Sequence, residues 1–336
     1  MAVDQKFHKK RKRINVALQG GGAHGAFTWG VLEQILSDER IVIDGISGAS
    51  AGAVNAVLIA DGFARGGPAE AQRRLAEFWR AVSFDGNLPE PQRGVVKRLF
   101  SLVSHRGSPV PWLGSLSGLL SPYHVNPLNL NLLKDLIERF VDFELIRGSE
   151  RELFVSATNV HTGEPRVFTR EEITAEVVSA STCLPLVFQA VEIDGEPYWD
   201  GGYSGNPAIL PFRGSQTQDV LIVQINPLQR RKVPTSAREI QTRVHEITFN
   251  APLLAELRAL ALTGTGSPLR LHRIVMDDFA AASDIGNRMS TDYDYFETLR
   301  KRGRRATQRF LDIHFHDIGR RSTLHAGAAR HAEEVA

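Results

Sequence analysis

The sequence predicts an α/β protein in which helices cover a mostly parallel β-sheet. From residue 14 onward, short runs of β-branched residues alternate with segments whose apolar residues recur at helical spacing. The alternation returns after residue 150, and chains that alternate strands with helices form parallel sheets. With 336 residues, of which 42% are hydrophobic and 23% charged, the chain is large enough to bury a substantial core.

The first four predicted elements are a strand, a helix, a strand and a helix. INVAL at 14–18 is the first strand, and residues 27–36 place their apolar side chains on one face of a helix. IVIDGI at 41–46 is the second strand, and the apolar stretch at 51–60 is the second helix. These two units predict neighbouring parallel strands whose carboxyl ends meet at one edge of the sheet.

Residues 85–130 interrupt this rhythm, because they combine apolar side chains with many Gly, Pro and Ser. We interpret them as an insertion near a pocket, and their apolar part at 99–120 as a candidate lid or membrane contact. Regular structure returns with a helix predicted over 127–140.

Four strands are predicted in the following segment. Residues 153–160 and 165–170 form two of them, joined by a turn at Thr162 and Gly163, and residues 191–202 form a short hairpin. Residues 220–226, VLIVQIN, read as one more buried strand.

Beyond residue 227 the pattern becomes helical and charged, with helices near 236–262 and 292–316. The predicted organisation is a catalytic domain at 14–230 and a C-terminal helical extension at 231–336 that packs on it.

Composition excludes several classes of protein. Cys183 is the single cysteine, so the chain has no internal disulfide and no zinc site with several thiolates, as is typical of a reducing compartment. Neither a signal peptide nor an apolar run of about 18 residues is present, which predicts a cytoplasmic protein. A net charge of +2 argues against general nucleic-acid binding. Basic clusters at 8–13 and 300–305 are typical either of solvated surfaces or of contacts with an anionic membrane.

The loop GGGAHG at 20–25 lies between the first strand and the first helix. Such a loop directs several backbone N–H groups and the positive end of a helix dipole at one anion. The anion is either a dinucleotide pyrophosphate or the oxyanion of an ester under attack. Gly20, Gly22 and Gly25 satisfy GxGxxG, with Asp44 predicted to end the next strand as a ribose-binding acid, so an NAD(P)-binding oxidoreductase is one alternative.

A second motif, Gly48-Ala49-Ser50-Ala51-Gly52, follows the second strand and opens the second helix. GxSxG in this context is typical of a nucleophile elbow, in which Ser50 is presented at a sharp turn and the Ala51 N–H is an oxyanion donor. An α/β-hydrolase usually carries GxSxG later in the chain, so the position of the motif in this sequence fits that fold poorly.

The third motif is Asp200-Gly201-Gly202, at the end of the predicted hairpin. Taken alone, an acid before two glycines is typical of a turn. A glycine loop, GxSxG and Asp-Gly-Gly in this order resemble the patatin-like phospholipases, and the resemblance extends from residue 15 to 212.

The resemblance implies a three-layer α/β/α sandwich and a serine hydrolase of fatty acyl esters, similar to a phospholipase A. It implies that Ser50 attacks the acyl carbonyl, that Asp200 takes its proton without a histidine, and that the amides of Gly20, Gly21 and Gly22 hold the oxyanion. Because a free aspartate has a pKa of about 3.9, such a dyad requires a dry site and a short hydrogen bond. The substrate is then a lipid or another acyl ester, and no cofactor or metal is implied.

His24 departs from the family pattern, because many bacterial relatives carry Arg in the glycine loop. A titratable ring replaces a permanent charge there, so activity is expected to fall as pH rises if the ring positions an anionic substrate. Gly25 is expected to let the helix begin close to the oxyanion.

The remaining candidates are predicted to be structural. We interpret His245, His272 and the pair His314 and His316 as solvated or packed, since a spacing of two places the pair on different helix faces and argues against a shared metal. Cys183 is predicted to be a buried, inert thiol.

Two questions stay open at this stage. Residues 184–188 are assigned equally to an acyl pocket and to the core, whereas Phe27 and Trp29 are assigned to the core. A catalytically silent relative that binds lipid or a partner is the other alternative, and the sequence does not indicate an oligomeric state.

Overall fold

The structure is a computed structural model that describes residues 11–83, 121–126, 129, 131–230, 232–262, 269–276 and 292–324. The interrupting segment at 85–130, including the candidate lid at 99–120, lies almost entirely outside these ranges.

The described residues form eight strands and nine helices. The strands are β1 (Lys12–Leu18), β2 (Ile41–Gly48), β3 (Glu152–Asn159), β4 (Pro165–Thr169), β5 (Val191–Ile193), β6 (Glu196–Asp200), β7 (Asp219–Gln224) and β8 (Arg270–Val275). The helices are α1 (Gly25–Leu36), α2 (Ala51–Gly66), α3 (Pro68–Val82), α4 (Pro122–Val125), α5 (Leu132–Phe140), α6 (Phe143–Arg147), α7 (Ala175–Ser181), α8 (Ala237–Leu262) and α9 (Tyr293–His314). Short 3₁₀ turns occupy Gly22–His24, Gly201–Tyr203 and Leu210–Gly214.

All eight strands belong to one sheet in the order β5-β6-β3-β2-β1-β7-β8, with β4 added to β3. β3, β2, β1, β7 and β8 run parallel to one another, whereas β4 and β6 run antiparallel to β3. The predicted α/β class with a mostly parallel sheet is confirmed. The hairpin of β5 and β6 turns at Asp194 and Gly195, which both have positive φ, as a two-residue hairpin turn requires.

One edge of β3 is shared by two strands. Residues 152–155 pair with β2 and residues 157–159 pair with β6, while β4 occupies the opposite edge. β6 therefore continues the sheet beyond the point where β2 ends at Gly48. Its last residue, Asp200, pairs with Ala157 and so lies beside the turn that leaves β2.

The sheet separates two buried hydrophobic clusters. Along β1, Ile14, Val16 and Leu18 face the larger cluster, which α1, α2, α3 and α9 complete, and Ala17 faces the smaller cluster, which contains the leucines of α8. This alternation follows from the two-residue period of a strand. Helices thus cover both faces, and the implied three-layer sandwich is confirmed.

The C-terminal segment differs from the prediction. Residues 231–336 were predicted to be a helical extension, without a strand among the elements named, but β8 pairs in parallel with β7 over six residues, from Asp219 opposite Arg270 to Gln224 opposite Val275. The reason is tertiary, because RLHRIV carries polar residues within a short run, and it becomes a strand by hydrogen bonding to an edge supplied from 51 residues away. The two long helices, in contrast, are present as predicted.

α9 packs directly against α1 through two glycines. A Cβ atom on Gly30 would lie 1.9 Å from the carbonyl oxygen of Arg300, and one on Gly303 would lie 2.1 Å from that of Phe27. Any larger side chain would separate the helices, so the C-terminal segment is built closely onto the first βα unit. Among the helices that the structure describes, none is long and apolar enough to cross a bilayer.

Candidate active site

Ser50 occupies a strained turn between β2 and α2. Its backbone has φ 54° and ψ −126°, which a residue with a Cβ atom adopts only at a cost. The turn is held by hydrogen bonds from Ala49 N–H to the Leu18 carbonyl and from Ser50 N–H to Ser181 Oγ, at 3.3 and 2.9 Å. The side chain is 8% exposed, so its hydroxyl lies at the edge of a nearly closed site.

The glycines on both sides of Ser50 are required by close backbone contacts. A Cβ atom on Gly48 would lie 2.5 Å from the backbone of Gly52, and one on Gly52 would lie 2.1 Å from the Leu18 carbonyl oxygen. The GxSxG spacing therefore makes the sharp turn possible, as the sequence predicted.

The carboxylate of Asp200 lies against the Ser50 hydroxyl. Ser50 Oγ donates to Asp200 Oδ2 at 2.7 Å, and Gly202 N–H donates to Asp200 Oδ1 at 2.7 Å. The Asp200 backbone is held by the carbonyl of Cys183 and the hydroxyl of Thr158, each at 2.8 Å. Both carboxylate oxygens are thus oriented, and one of them faces the candidate nucleophile.

Burial raises the pKa of Asp200 to about 7, while the hydrogen bonds from Gly202 and Ser50 lower it. The side chain has no exposed surface, so its charged form loses hydration. Within the described ranges Asp200 forms no ion pair that would offset this loss. A carboxyl group with a pKa near neutral can accept a proton more readily than a solvated aspartate.

The glycine loop lies beside the nucleophile. A Cβ atom on Gly20 would lie 2.6 Å from Ser50 Cβ, and Gly22 has a φ of 60°, so both positions favour glycine. The loop leads into the 3₁₀ turn and then into α1. A Cβ atom on Gly25 would lie 2.8 Å from Ala51 Cβ, so α1 and α2 begin side by side with their N-termini at the same place.

Two asparagines hold the peptide groups of Gly20. Its N–H donates to Asn206 Oδ1 at 2.6 Å, and its carbonyl accepts from Asn226 Nδ2 at 2.8 Å. Because the Gly20 amide is already engaged, the predicted set of oxyanion donors narrows to Gly21, Gly22 and Ala51. Ala51 is the first residue of α2, so its N–H has no acceptor within that helix.

Four buried amide side chains form a network behind the loop. Gln19 Oε1 accepts from the backbone of residues 225 and 226, Gln19 Nε2 donates to Asn250 Oδ1 at 2.9 Å, and Asn206 Nδ2 donates to the Phe249 carbonyl at 3.0 Å. The network joins the glycine loop to β7 and α8. Sequence reasoning missed these residues, because single amides separated by up to 231 positions carry no pattern.

The glycines after Asp200 fit tightly packed positions. A Cβ atom on Gly201 would lie 2.0 Å from the Ser156 carbonyl oxygen, and one on Gly202 would lie 2.2 Å from the ring of Phe249. The Asp-Gly-Gly motif thus supplies the carboxylate, the Gly202 N–H that binds it, and a residue small enough for Phe249 of α8 to pack against.

The histidines that the sequence singled out take part in packing or in contacts with aspartates. His24 has no exposed surface, so it does not present its ring to a substrate headgroup, and the His245 ring lies against that of Phe249, with 3.9 Å between the centroids. His272 Nε2 lies 3.0 Å from Asp219 Oδ1, and His314 Nδ1 lies 3.0 Å from Asp317 Oδ2. In the part of the chain that the structure describes, no group of three or more His, Cys, Asp and Glu side chains is arranged to hold a metal ion.

Asp44 does not fit the role of a ribose-binding acid. It lies inside β2, which extends to Gly48, and its carboxylate accepts hydrogen bonds from the Arg13 guanidinium and the Thr217 hydroxyl. The prediction that it ends the strand was wrong, because pairing with β1 extends β2 beyond the apolar run.

The other candidates divide between core and surface. Phe27, Trp29 and Cys183 are buried as predicted, and burial together with the nearby Asp200 raises the pKa of the Cys183 thiol to about 12. Of residues 184–188, Val187 is buried and Leu186 is 85% exposed.

Comparison with known proteins supports the resemblance. A family profile described as patatin-like phospholipase matches residues 16–213, which include all three motifs. No curated protein sequence is significantly similar to the chain.

Solved structures with a related fold share little sequence. VipD from Legionella pneumophila is 15% identical with a TM-score of 0.41, covering 91% of this chain and 67% of VipD. Human GIVD cytosolic phospholipase A2, in complex with methyl gamma-linolenyl fluorophosphonate, is 13% identical with a TM-score of 0.43, covering 96% and 60%. The ExoU-SpcU complex of Pseudomonas aeruginosa gives 17% identity and a TM-score of 0.30, covering 89% and 52%. The chain therefore spans between about half and two thirds of these proteins.

Proposed function

The chain belongs to the patatin-like phospholipase family, and from this premise we propose that it cleaves fatty acyl esters of lipids with Ser50 as nucleophile and Asp200 as general base. Membership of a family described as patatin-like phospholipases supports hydrolysis of lipid esters as the general activity. The observation that carries the finer assignment is the 2.7 Å hydrogen bond from Ser50 Oγ to a fully buried carboxylate.

The proposed reaction has two steps, acylation of Ser50 and hydrolysis of the acyl-enzyme, and each step needs two proton transfers. Asp200 takes the Ser50 proton as Oγ attacks the acyl carbonyl, and then gives it to the leaving alcohol as the acyl-enzyme forms. Water next gives a proton to Asp200 and attacks the acyl group, and the proton returns to Ser50 as the fatty acid leaves. A base with a pKa near 7 suits both directions of transfer.

The developing oxyanion is assigned to the N–H groups of Gly21, Gly22 and Ala51. These lie at the adjacent N-termini of α1 and α2, where helix dipoles favour negative charge. We assign Asn206 and Asn226 a positioning role, because they fix the peptide groups on both sides of Gly20 and so the direction of the N–H groups that follow.

The proposed substrate is a lipid acyl ester, and the proposed place of action is the cytoplasmic surface of a membrane. The lipid class follows from family membership, and the reduced, buried Cys183 supports the compartment. Neither a cofactor nor a nucleic acid takes part in the proposed reaction.

The proposal is tested by labelling with a fluorophosphonate and by hydrolysis of a p-nitrophenyl ester. Wild type is expected to do both, Ser50→Ala neither, and Asp200→Asn is expected to lose turnover. Ser37→Ala, at the far end of α1, is the control for removal of a hydroxyl and should match wild type. Retention of full turnover by Ser50→Ala would refute the assignment, and a wild type that neither labels nor turns over would favour the silent relative.

A further inference from the structure

The two halves of α8 have opposite patterns of burial. In the second half, Leu253, Leu257 and Leu260 face the core, and the charged side chain of Arg258 is exposed. This is the ordinary pattern of a helix at the surface of a water-soluble protein.

The first half reverses the pattern. Its buried side chains include the polar residues Thr242 and Glu246, whereas Ile240, Val244 and Ile247 are 46%, 58% and 54% exposed. The three apolar residues are spaced by four and three positions, so they form one stripe along the helix. We call this stripe, Ile240, Val244 and Ile247, the outer face of α8.

Polar contacts explain why the first half sits this way round. The buried carboxylate of Glu246 accepts from Arg230 at 2.8 and 2.9 Å and from Arg243 at 3.2 Å. Arg243 also donates to the carbonyls of residues 227 and 228, at 3.3 and 2.8 Å. These contacts fix the polar side inward over the chain that follows β7, and they leave the apolar side in water.

α8, which carries the outer face on its exposed side, contacts the candidate active site through its buried side. Phe249, two residues after Ile247, packs against Gly202 and Tyr203, and the Tyr203 and Phe249 ring centroids are 5.1 Å apart. A further exposed apolar residue, Leu186, belongs to the segment that begins at Cys183, whose carbonyl binds the Asp200 N–H. Exposed apolar side chains therefore occur on α8, which packs against the residues that follow Asp200, and on the segment whose first residue binds the Asp200 N–H.

The charge around the outer face indicates what covers it. Residues 229–248 carry five basic and two acidic side chains. A second copy of this face would bring like charges together, and the segment at 84–120 also carries more basic than acidic side chains, four against two. An anionic lipid bilayer complements both the apolar stripe and the positive charge, as in helices that lie in a membrane interface.

We propose that the outer face of α8, together with Leu186, docks on the surface of an anionic bilayer and brings the Ser50 site to its substrate. This rests on the proposed lipid hydrolysis. The outer face then penetrates the headgroup region, while the net positive charge of residues 229–248 attracts the anionic lipid.

The test uses the full chain with vesicles of phosphatidylcholine alone or with about one third phosphatidylglycerol. Wild type is expected to cosediment with the anionic vesicles, and less so as salt rises, because salt screens surface charge. The triple variant Ile240→Gln, Val244→Gln, Ile247→Gln should bind these vesicles at least about tenfold more weakly and hydrolyse their lipid correspondingly more slowly. Ile313→Gln, which changes a 70% exposed apolar residue on α9, should behave as wild type.

A soluble short-chain ester separates the two proposals. The triple variant should hydrolyse it, and react with a fluorophosphonate, at the wild-type rate; failure of wild type itself on this ester would instead count against the proposed function. Equal vesicle binding by wild type and triple variant would overturn the docking surface. A wild-type dimer that the triple variant converts to monomer would assign the face to a second copy, and faster trypsin cleavage within 84–120 in the variant would assign it to that segment.

Discussion

Asp200 and Asp219 are two of the three buried aspartates in the described part of the chain, and their environments differ. Asp200, at the end of β6, contacts a serine hydroxyl and a backbone amide, and burial raises its pKa to about 7. Asp219, at the start of β7, is also buried, but it accepts from Arg270 at 2.6 Å and from the Gly319 N–H at 2.8 Å. Burial raises the pKa of Asp219, and the hydrogen bonds from His272, Arg270 and Gly319 outweigh it, so the result is about 2.

This difference in environment means that one carboxylate contributes to the stability of the fold and the other lowers it. Asp219 is neutralised by the Arg270 guanidinium of β8, so its charge helps to hold the C-terminal strand on the sheet. Asp200 receives no such cation among the described residues, and its charged form is therefore costly. A buried carboxylate without a cation is a poor structural element but a usable base.

The largest expected effect comes from exchanging each carboxylate for its amide. Asp200→Asn should lower turnover about a thousandfold, because the general base is lost while the packing volume is kept. Asp219→Asn should retain turnover within about twofold when the protein is folded. The measurement is the turnover of a soluble ester by both variants, and an equal loss in both would remove the distinction between the two sites.

The pH dependence of turnover tests whether Asp200 has the raised pKa that distinguishes it from Asp219. Because only ionised Asp200 accepts the Ser50 proton, turnover should rise tenfold per pH unit and level off above about pH 7, giving about a hundredfold deficit at pH 5. A pH profile of kcat/KM between pH 5 and 9 measures this. A midpoint near pH 4 would show that Asp200 is solvated and would contradict the buried-base account.

Stability should change in opposite directions in the two variants. The pKa of Asp219 is depressed on folding, so its contribution to the free energy of unfolding is present above about pH 4 and is lost as pH falls through about 2. At pH 7, Asp219→Asn should therefore lower the free energy of unfolding by about 2–4 kcal/mol. The pKa of Asp200 is raised on folding, so wild type should lose stability as pH rises from about 4 through about 7.

Between pH 4 and pH 8, the free energy of unfolding of Asp200→Asn should therefore rise relative to that of wild type by up to about 4 kcal/mol. Urea denaturation of wild type and both variants at the two pH values measures these differences. If Asp200→Asn were destabilised more at pH 8 than at pH 4, the sign of the Asp200 shift would be wrong.

The smallest expected effect concerns the amide network. Asn226→Ala removes the donor to the Gly20 carbonyl and should lower kcat by about tenfold with little change in KM, since a misdirected oxyanion loop weakens the transition state more than substrate binding. Asn15→Ala is the matched control, because Asn15 is also buried and donates to the Thr217 carbonyl at 2.7 Å, away from the loop. A similar fall of kcat in both variants would show that Asn226 has a structural role and does not specifically position the oxyanion loop.

Much of the fold and the site could be predicted because the signals are local. A glycine that permits a close turn acts on its immediate neighbours in the chain. The loop at 20–25, the GxSxG motif and Asp200-Gly201-Gly202 could therefore be identified from the sequence alone. Strand and helix periods are equally local, which is why the β-α-β-α beginning and the hairpin of β5 and β6 agree with the prediction.

The order of the elements, the family resemblance and the residue types of the proposed dyad therefore follow from the sequence. Three features depend on tertiary contacts: β8 joins the sheet, Asn206 and Asn226 hold Gly20, and the apolar side of the first half of α8 faces outward. Tertiary contacts also determine the raised pKa of Asp200, which results from complete burial beside a partner 150 positions away. Hydrogen-bond partners and desolvation depend on which distant segments meet, and that information does not reside in any local stretch of chain.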